Sequence, residues 1–202
     1  MTEPEQIKAS RRPFWFALAM FFVPLAIAFV VYYGTSWRPV RGTNRGDLIT
    51  PARPLPHVSL ATADGKTTDK DWLTGKWSLV YIGDGACDAD CRTALINARQ
   101  VRLALGDDMN RVQRIFLYTG TCCEQPYFDT EHAGLIAARL EGESGTALLS
   151  TFPRYAAIAP DVAHRTYVVD PLGNLMMSYA PDAPAKGMLE DMKKLLKLSH
   201  IG

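Results

Sequence analysis

A continuous apolar strand that leads into two cysteines is the feature that most constrains this chain. Residues 77–82 (WSLVYI) are almost uninterruptedly apolar, as expected of a strand covered on both faces. A glycine-bracketed bend at residues 83–85 follows, and then Cys87 and Cys91 at the start of a predicted helix. Cysteines four apart on a helix share one face, so both sulfurs can reach one metal ion or each other. We therefore predict a redox or soft-metal site at the exposed edge of a sheet, in preference to two buried structural cysteines.

The pattern of apolar residues along the soluble part predicts a mixed α/β domain. Further interior strands are expected at residues 112–118, 166–169 and 175–179, and a turn (DPLG) joins the last two. Apolar residues at helical spacing follow the cysteines and recur near the C-terminus. A short leading hairpin around an Asp-Gly turn and a helix at residues 132–140 are also predicted. This order favours a thioredoxin-like fold, a central mixed sheet with helices on both faces.

The N-terminal part contains a candidate membrane span. Residues 14–33 carry no charge, and this uncharged run is as long as a helix needs to be to cross a hydrocarbon core. We expect an uncleaved anchor instead of a cleaved signal peptide, because the apolar run exceeds a typical signal core and no small-residue cleavage site follows. The predicted division is a cytoplasmic tail (residues 1–13), the anchor (14–33), an extended tether (34–56) and a thioredoxin-like domain (57–202). Basic residues are balanced on the two sides of the span, so charge does not decide its orientation in the membrane. We expect the domain on the outer side of the membrane because of its thiol chemistry.

Charge and cysteine count narrow the function classes. The formal net charge is +1, so the composition gives no electrostatic reason to expect nucleic-acid binding. Four cysteines fall into two pairs, Cys87/Cys91 and Cys122/Cys123, too few for a disulfide scaffold in a domain of this size. The local spacing within each pair should therefore indicate its function.

Taken together, the anchor, the C-x-x-x-C of Cys87 and Cys91, and a Y-V-V-D-P-x-G hairpin at residues 167–173 resemble the Sco/SenC proteins. That family consists of membrane-anchored thioredoxin-fold proteins that help load copper into cytochrome c oxidase. The resemblance, which covers roughly residues 55 to 198, implies a site for Cu(I) or Cu(II) and a location at the periplasmic face of the bacterial inner membrane. The chain departs from the family pattern in two places. The family's loop carries prolines where this chain has Asp88-Ala89-Asp90 and Arg92, and Val162 occupies the position of its copper-binding histidine.

A copper site needs a third ligand, preferably a histidine, because thiolates favour Cu(I) while imidazole helps to hold Cu(II). His164 is the predicted candidate, since it directly precedes the hairpin strand; a surface histidine is the alternative. His57, His132 and His200 are placed in the tether, in an exposed acidic helix and at the C-terminal end. Cys122 and Cys123 follow a predicted strand on the edge where such sheets place ligands. Adjacent cysteines seldom bond to each other, so one of them could supply a thiolate or exchange with the first pair, or both could be incidental.

Three functions remain open from the sequence. The leading hypothesis is a Sco-like copper-binding assembly factor for a haem–copper oxidase, with an oxidase subunit or another copper-assembly protein as partner. The second is a thiol–disulfide oxidoreductase that keeps the oxidase's copper-site cysteines reduced, with Cys87 attacking and Cys91 resolving. The third is a non-catalytic module of the same fold that only binds a partner in the membrane.

Overall fold

The computed structural model describes residues 11–34, 42–123, 125–199 and 201, which fall into two units that divide after Thr43. The first unit contains helix α1 (Arg12–Gly34), with Pro24 inside it. By length and composition alone, α1 is able to cross a membrane, and it contains the predicted span at residues 14–33. Most of the predicted cytoplasmic tail and residues 35–41 of the predicted tether lie outside the described residues.

The second unit is built on a six-stranded mixed sheet. Its strands are β1 (Asp47–Pro54), β2 (Trp77–Asp84), β3 (Val112–Thr119), β4 (Leu135–Arg139), β5 (Thr166–Val169) and β6 (Asn174–Tyr179). Their order across the sheet is β1-β6-β5-β2-β3-β4. The β2–β3 and β3–β4 pairs are parallel, whereas the pairs β1–β6, β5–β6 and β2–β5 are antiparallel. The interior strand β2 thus lies at the centre, as its apolar sequence predicts.

Within the described residues, four helices accompany the sheet. They are α2 (Ala89–Ala104), α3 (Gln125–Glu131), α4 (Gly142–Ser150) and α5 (Ala185–Leu198), with a 3-10 turn at Gly106–Arg111. Alternate residues of β2 serve the two faces of the sheet. Val80 and Ile82 pack into a core with Leu148 of α4, while Leu79 packs into a second core with Val101 of α2 and residues of α5. The two-residue period of a strand therefore places helices on both faces, and the predicted fold class is confirmed.

Two elements differ from the sequence-based predictions. The helix predicted at residues 132–140 is wrong, because β4 occupies most of that range and pairs in parallel with β3 from Arg114↔Leu135 to Tyr118↔Arg139. A run of four apolar residues at 135–138 carries no distinctive period, so pairing with a buried neighbour decides its structure. The predicted leading hairpin is reduced to a single bridge between Ala61 and Thr67.

The domain begins earlier than the predicted tether allows. Residues 47–54, assigned to the tether, form strand β1 at the edge of the sheet, paired with β6. The prolines that suggested an extended linker are compatible with this position, since an edge strand has one side without ladder hydrogen bonds. The register shifts between Leu48 and Arg53, where Pro51 interrupts the pairing.

Candidate functional site

The first cysteine lies in a tight loop and not in the helix. Strand β2 ends at Asp84, whose side-chain Oδ1 accepts from the backbone N–H of Ala86 at 2.7 Å and whose carbonyl accepts from Cys87 N–H at 3.1 Å. Cys87 has a φ of 49°, in the left-handed region that residues other than glycine seldom adopt. The prediction that both cysteines lie on the helix is therefore wrong for Cys87, because Asp84 folds the chain back before the helix starts.

Helix α2 begins between the two cysteines. Asp88 is the N-cap, and its Oδ1 accepts from the backbone N–H of Cys91 at 2.9 Å. Cys91 thus sits in the first helical turn, where the positive end of the helix dipole favours a thiolate. The two cysteines, called the inner pair below, are joined by a disulfide with a Cα–Cα distance of 5.1 Å. Their sulfurs meet, as the spacing predicts, although one comes from a loop.

The inner pair is buried, which the sequence did not predict. Cys87 and Cys91 are only 3% and 2% exposed and pack among the aromatic rings of Tyr81, Phe116 and Tyr118. The prediction of an exposed pair at the edge of the sheet is therefore wrong. The position at the carboxyl end of β2 is correct, but other residues cover it.

A second loop supplies part of that cover. Strands β2 and β3 are parallel and end side by side, with Asp84 opposite Thr119, so the segments that follow them leave the same edge of the sheet. The backbone N–H of Gly85 donates to the Thr119 carbonyl at 2.9 Å. A Cβ atom on Gly85 would lie 2.6 Å from the Thr121 carbonyl oxygen and 2.8 Å from the Cys122 nitrogen, so the two loops are packed backbone against backbone.

Cys122 and Cys123, called the outer pair below, pack against the cluster that contains the inner pair. Both are half-buried and so more accessible than the inner pair. The two sulfurs of this pair meet in the structure. Cys123 also lines a cavity of about 500 Å³, together with Phe128 and Leu135 among others.

His164 reaches the site through a tyrosine. Its Nδ1 lies 3.0 Å from the Tyr81 hydroxyl oxygen, and Tyr81 belongs to the cluster around the inner pair. Like Cys87, His164 has a left-handed backbone, with a φ of 48°. Such conformations cost energy and concentrate at functional sites, so their occurrence at both predicted residues is notable. Val162, which occupies the position of the copper-binding histidine in the Sco/SenC pattern, has 58% of its surface exposed.

Tyr81 is a site residue that the sequence reading missed. Burial raises the pKa of its phenol, and the negative charges of Asp88 and Asp90 raise it further, so the hydroxyl stays protonated. The same two carboxylates lie between the two cysteines in the chain, where nearby negative charge disfavours a thiolate. The sequence signal for Tyr81 was a tyrosine inside an otherwise apolar strand. A buried phenol usually needs a hydrogen-bonding partner, so such a tyrosine indicates a polar neighbour.

Arg92 counters that negative charge. Its Nε donates to the Cys87 carbonyl at 3.2 Å, and its guanidinium lies 5.0 Å from the centre of the Tyr127 ring. Arg92 therefore holds the Cys87 loop against the first turn of α2 and brings a positive charge next to it, which favours a thiolate after reduction.

The other histidines lie elsewhere. His57 is exposed and pairs with Asp71. His132 was predicted in an exposed helix, but it follows α3 and is only 1% exposed. Burial lowers the pKa of His132, and the charges of Arg114 and Arg99 lower it further. His132 lines the same cavity as Cys123, and His200 lies outside the described residues.

The donor set fits a soft cation better than a hard one. Within the described ranges, no group of three or more His, Cys, Asp or Glu side chains is gathered at metal-binding distance. The inner pair can offer sulfur ligands only after reduction, and two thiolates suit Cu(I). His164, a histidine suited to Cu(II), is linked to the site through the Tyr81 hydroxyl.

Comparison with known proteins agrees with the fold. A family model described as the transmembrane-like, thioredoxin-like, C-terminal domain matches residues 77–199. No curated protein matches the sequence. Among solved structures, copper-bound yeast Sco1 has a TM-score of 0.61 at 17% identity, covering 75% of this chain and 96% of that one.

Two further structures have the same fold. Copper-bound ScoI from Arabidopsis thaliana has a TM-score of 0.57 at 18% identity and covers 76% of this chain and 99% of that one. A thiol:disulfide interchange protein of the thioredoxin family from Chlorobium tepidum has a TM-score of 0.52 at 18% identity, covering 74% and 97%. The resemblance to the Sco/SenC proteins is thus confirmed at the level of fold. Since the family model covers well over half of its length, this chain belongs to the family of transmembrane-like, thioredoxin-like C-terminal domains.

Proposed function

We propose that this protein is a membrane-anchored, Sco-like copper carrier that holds Cu(I) between the reduced sulfurs of Cys87 and Cys91 and passes it to a haem–copper oxidase. The observation that carries the proposal is the meeting of the two sulfurs at the head of α2, where the helix N-terminus and Arg92 favour thiolates. The copper-bound structures of similar fold support the choice of metal.

In this proposal the disulfide is the empty state of the carrier. Two-electron reduction breaks the Cys87–Cys91 bond and yields two thiolates that bind the copper cargo. Thiolates are soft ligands and prefer Cu(I), whereas a Cu(II) form needs an additional nitrogen ligand. His164 is the proposed source of that nitrogen, and Tyr81 orients its ring through the Nδ1 contact. Helix α1 would hold the domain at the bacterial inner membrane, with the domain in the periplasm.

A Cu(I) titration of the full chain in detergent micelles tests this proposal. After reduction, and in competition with a colorimetric Cu(I) chelator, one Cu(I) per chain should bind. Cys87→Ser and Cys91→Ser should each weaken binding by at least about 100-fold, because a single thiolate remains. Thr93→Ser, on the same helix, is the matched control and should bind normally. Absence of Cu(I) binding, or equal binding by the cysteine variants, contradicts the proposal.

The disulfide itself favours a second candidate function, a thiol–disulfide oxidoreductase that reduces the copper-site cysteines of the oxidase. Once the residues that cover the inner pair move aside, Cys87 would attack the partner's disulfide as a thiolate, and Cys91 would then resolve the mixed disulfide. This function predicts a defined reduction potential and the transfer of two electrons to a disulfide substrate without copper. If the chain neither binds copper nor transfers electrons to a disulfide, the remaining function is that of a partner-binding module.

The topology can be tested separately. A reporter enzyme that is active only in the periplasm, fused after Gly202, should be active in whole cells. A reporter that works only in the cytoplasm should be inactive at the same position. The opposite result would place the domain inside and contradict both chemical functions as stated.

A further inference from the structure

We propose that the outer pair, Cys122 and Cys123, is a second dithiol–disulfide centre that receives electrons from a partner protein and passes them to the inner pair. The proposal rests on the proposed function in one respect, that Cys87 and Cys91 alternate between disulfide and dithiol. The relay would explain how the buried Cys87–Cys91 disulfide is reduced. The different exposure of the two pairs suggests this relay.

The inner pair is not accessible to a partner thiol. Thiol–disulfide exchange requires a thiolate to approach a sulfur in line with the bond that breaks. Cys87 and Cys91 are 3% and 2% exposed, and aromatic rings surround them. A partner thiol therefore cannot approach the inner pair directly in this conformation. An intermediate thiol that already lies within the protein removes this obstacle.

The outer pair lies close to the inner pair. The outer pair packs against the same cluster as the inner pair, and it is half-buried instead of buried. The loops that carry the two pairs leave adjacent parallel strands at the same edge of the sheet. A Cβ atom on Gly85, two residues before Cys87, would lie 2.8 Å from the nitrogen of Cys122. A side chain at position 85 would separate the loops, and glycine allows the close approach.

The two outer cysteines differ in their surroundings. Cys123 lines the cavity of about 500 Å³, whose other lining side chains include Phe128, Leu135 and Lys66. A cysteine side chain of a partner could enter this cavity and meet the Cys123 sulfur. Cys122 is the residue whose backbone adjoins the inner-pair loop. We therefore assign Cys123 to exchange with the partner and Cys122 to exchange with Cys87.

The reaction balances as two successive exchanges. A partner dithiol first reduces the Cys122–Cys123 disulfide, becomes a disulfide itself, and leaves two thiols on the outer pair. The Cys122 thiolate then attacks the Cys87 sulfur, forming a Cys87–Cys122 bond and releasing Cys91 as a thiolate. The Cys123 thiolate attacks Cys122, which re-forms the outer disulfide and releases Cys87. Two electrons and two protons have then moved from the partner dithiol to the inner pair.

The rate of inner-pair reduction tests the relay. The oxidised full chain in micelles is mixed with a reduced thioredoxin as the protein dithiol, quenched with acid, alkylated and mapped by mass spectrometry. The double variant Cys122→Ser/Cys123→Ser should reduce its inner pair at least about tenfold more slowly than the unchanged chain. Thr121→Ser, in the same loop, should keep the normal rate. A double variant that is as fast as the unchanged chain, or faster, overturns the proposal.

A trapping experiment provides an independent test that does not depend on rates. Cys91→Ser/Cys123→Ser leaves only Cys87 and Cys122, which should form an intramolecular disulfide on mild oxidation. Failure to form that bond in a chain that melts normally contradicts the assigned route. Cu(I) binding by the chemically reduced Cys122→Ser/Cys123→Ser chain should be unchanged. That measurement separates failure of the relay from failure of the copper proposal.

Discussion

Substitution of Gly85 by alanine is the sharpest structural perturbation of this site. An added Cβ would lie 2.6 Å from the Thr121 carbonyl oxygen and 2.8 Å from the Cys122 nitrogen, both backbone atoms. Ordinary contact begins at 3.4 Å, so the loops must separate by about 0.8 Å. Overpacking of this kind costs about 1–3 kcal/mol. In a domain of this size, that cost corresponds to a fall in melting temperature of about 2–12 °C.

The same displacement should expose the inner pair. If the contact between the loops keeps Cys87 and Cys91 covered, a loss of about 1–3 kcal/mol raises the population of the open state by about 5- to 150-fold. The assay is the rate at which dithiothreitol reduces the inner pair in oxidised chain, followed by alkylation and mass mapping. Gly85→Ala should increase that rate, and the melting temperature should fall in parallel.

Gly75→Ala is the matched control. Gly75 has a φ of 78° and nothing within 4 Å of an added Cβ, so its substitution strains the backbone without pushing the cysteine loops apart. It should lower the melting temperature and leave the rate of inner-pair reduction unchanged. If Gly85→Ala reduces no faster than Gly75→Ala at equal loss of stability, the loop contact is not what covers the cysteines.

Three further predictions concern stability and copper. Asp191→Ala should lower the free energy of unfolding by at least about 2 kcal/mol, because three donors lose a buried carboxylate acceptor. Glu190→Ala, the exposed neighbour, should cost less than about 1 kcal/mol in the same denaturant titration, and equal losses would contradict the assignment. The lowered pKa of His132 means that the unfolded chain binds a proton more readily, so stability should fall as pH drops through about 6.5, and His132→Gln should flatten that slope in pH-dependent melting. His164→Ala should weaken Cu(II) binding by at least about tenfold and Cu(I) binding by less than about threefold, with Tyr81→Phe giving a smaller loss of Cu(II) affinity; unchanged Cu(II) affinity would remove His164 from the site.

The central elements of the domain could be predicted because their signals are local. The strand at residues 77–82 is apolar throughout, the hairpin carries its own turn residues, and the C-terminal helix has a clear apolar stripe. All three are present as β2, β5–β6 and α5. Strands β1 and β4 could not be predicted in this way. Both lie at the edges of the sheet, where pairing with a neighbour outweighs a short or proline-containing sequence.

The candidate site divides in the same manner. The spacing of Cys87 and Cys91 was enough to predict that their sulfurs meet, although Asp84 and Asp88 place one in a loop and one in a helix. The link from His164 to Tyr81 joins residues 83 positions apart, and no local pattern reports such a contact. The placement of the outer pair beside the inner pair likewise depends on the parallel pairing of β2 with β3.

The sequence by itself determined the chemistry that is available: an apolar segment long enough for a membrane, two pairs of sulfurs, and a strand–helix order typical of thioredoxin-like domains. The tertiary structure alone decided access, burying the inner pair and leaving the outer pair half-covered beside a cavity. The physical reason is that chemistry belongs to individual side chains and short spacings, whereas burial depends on which distant segments pack together.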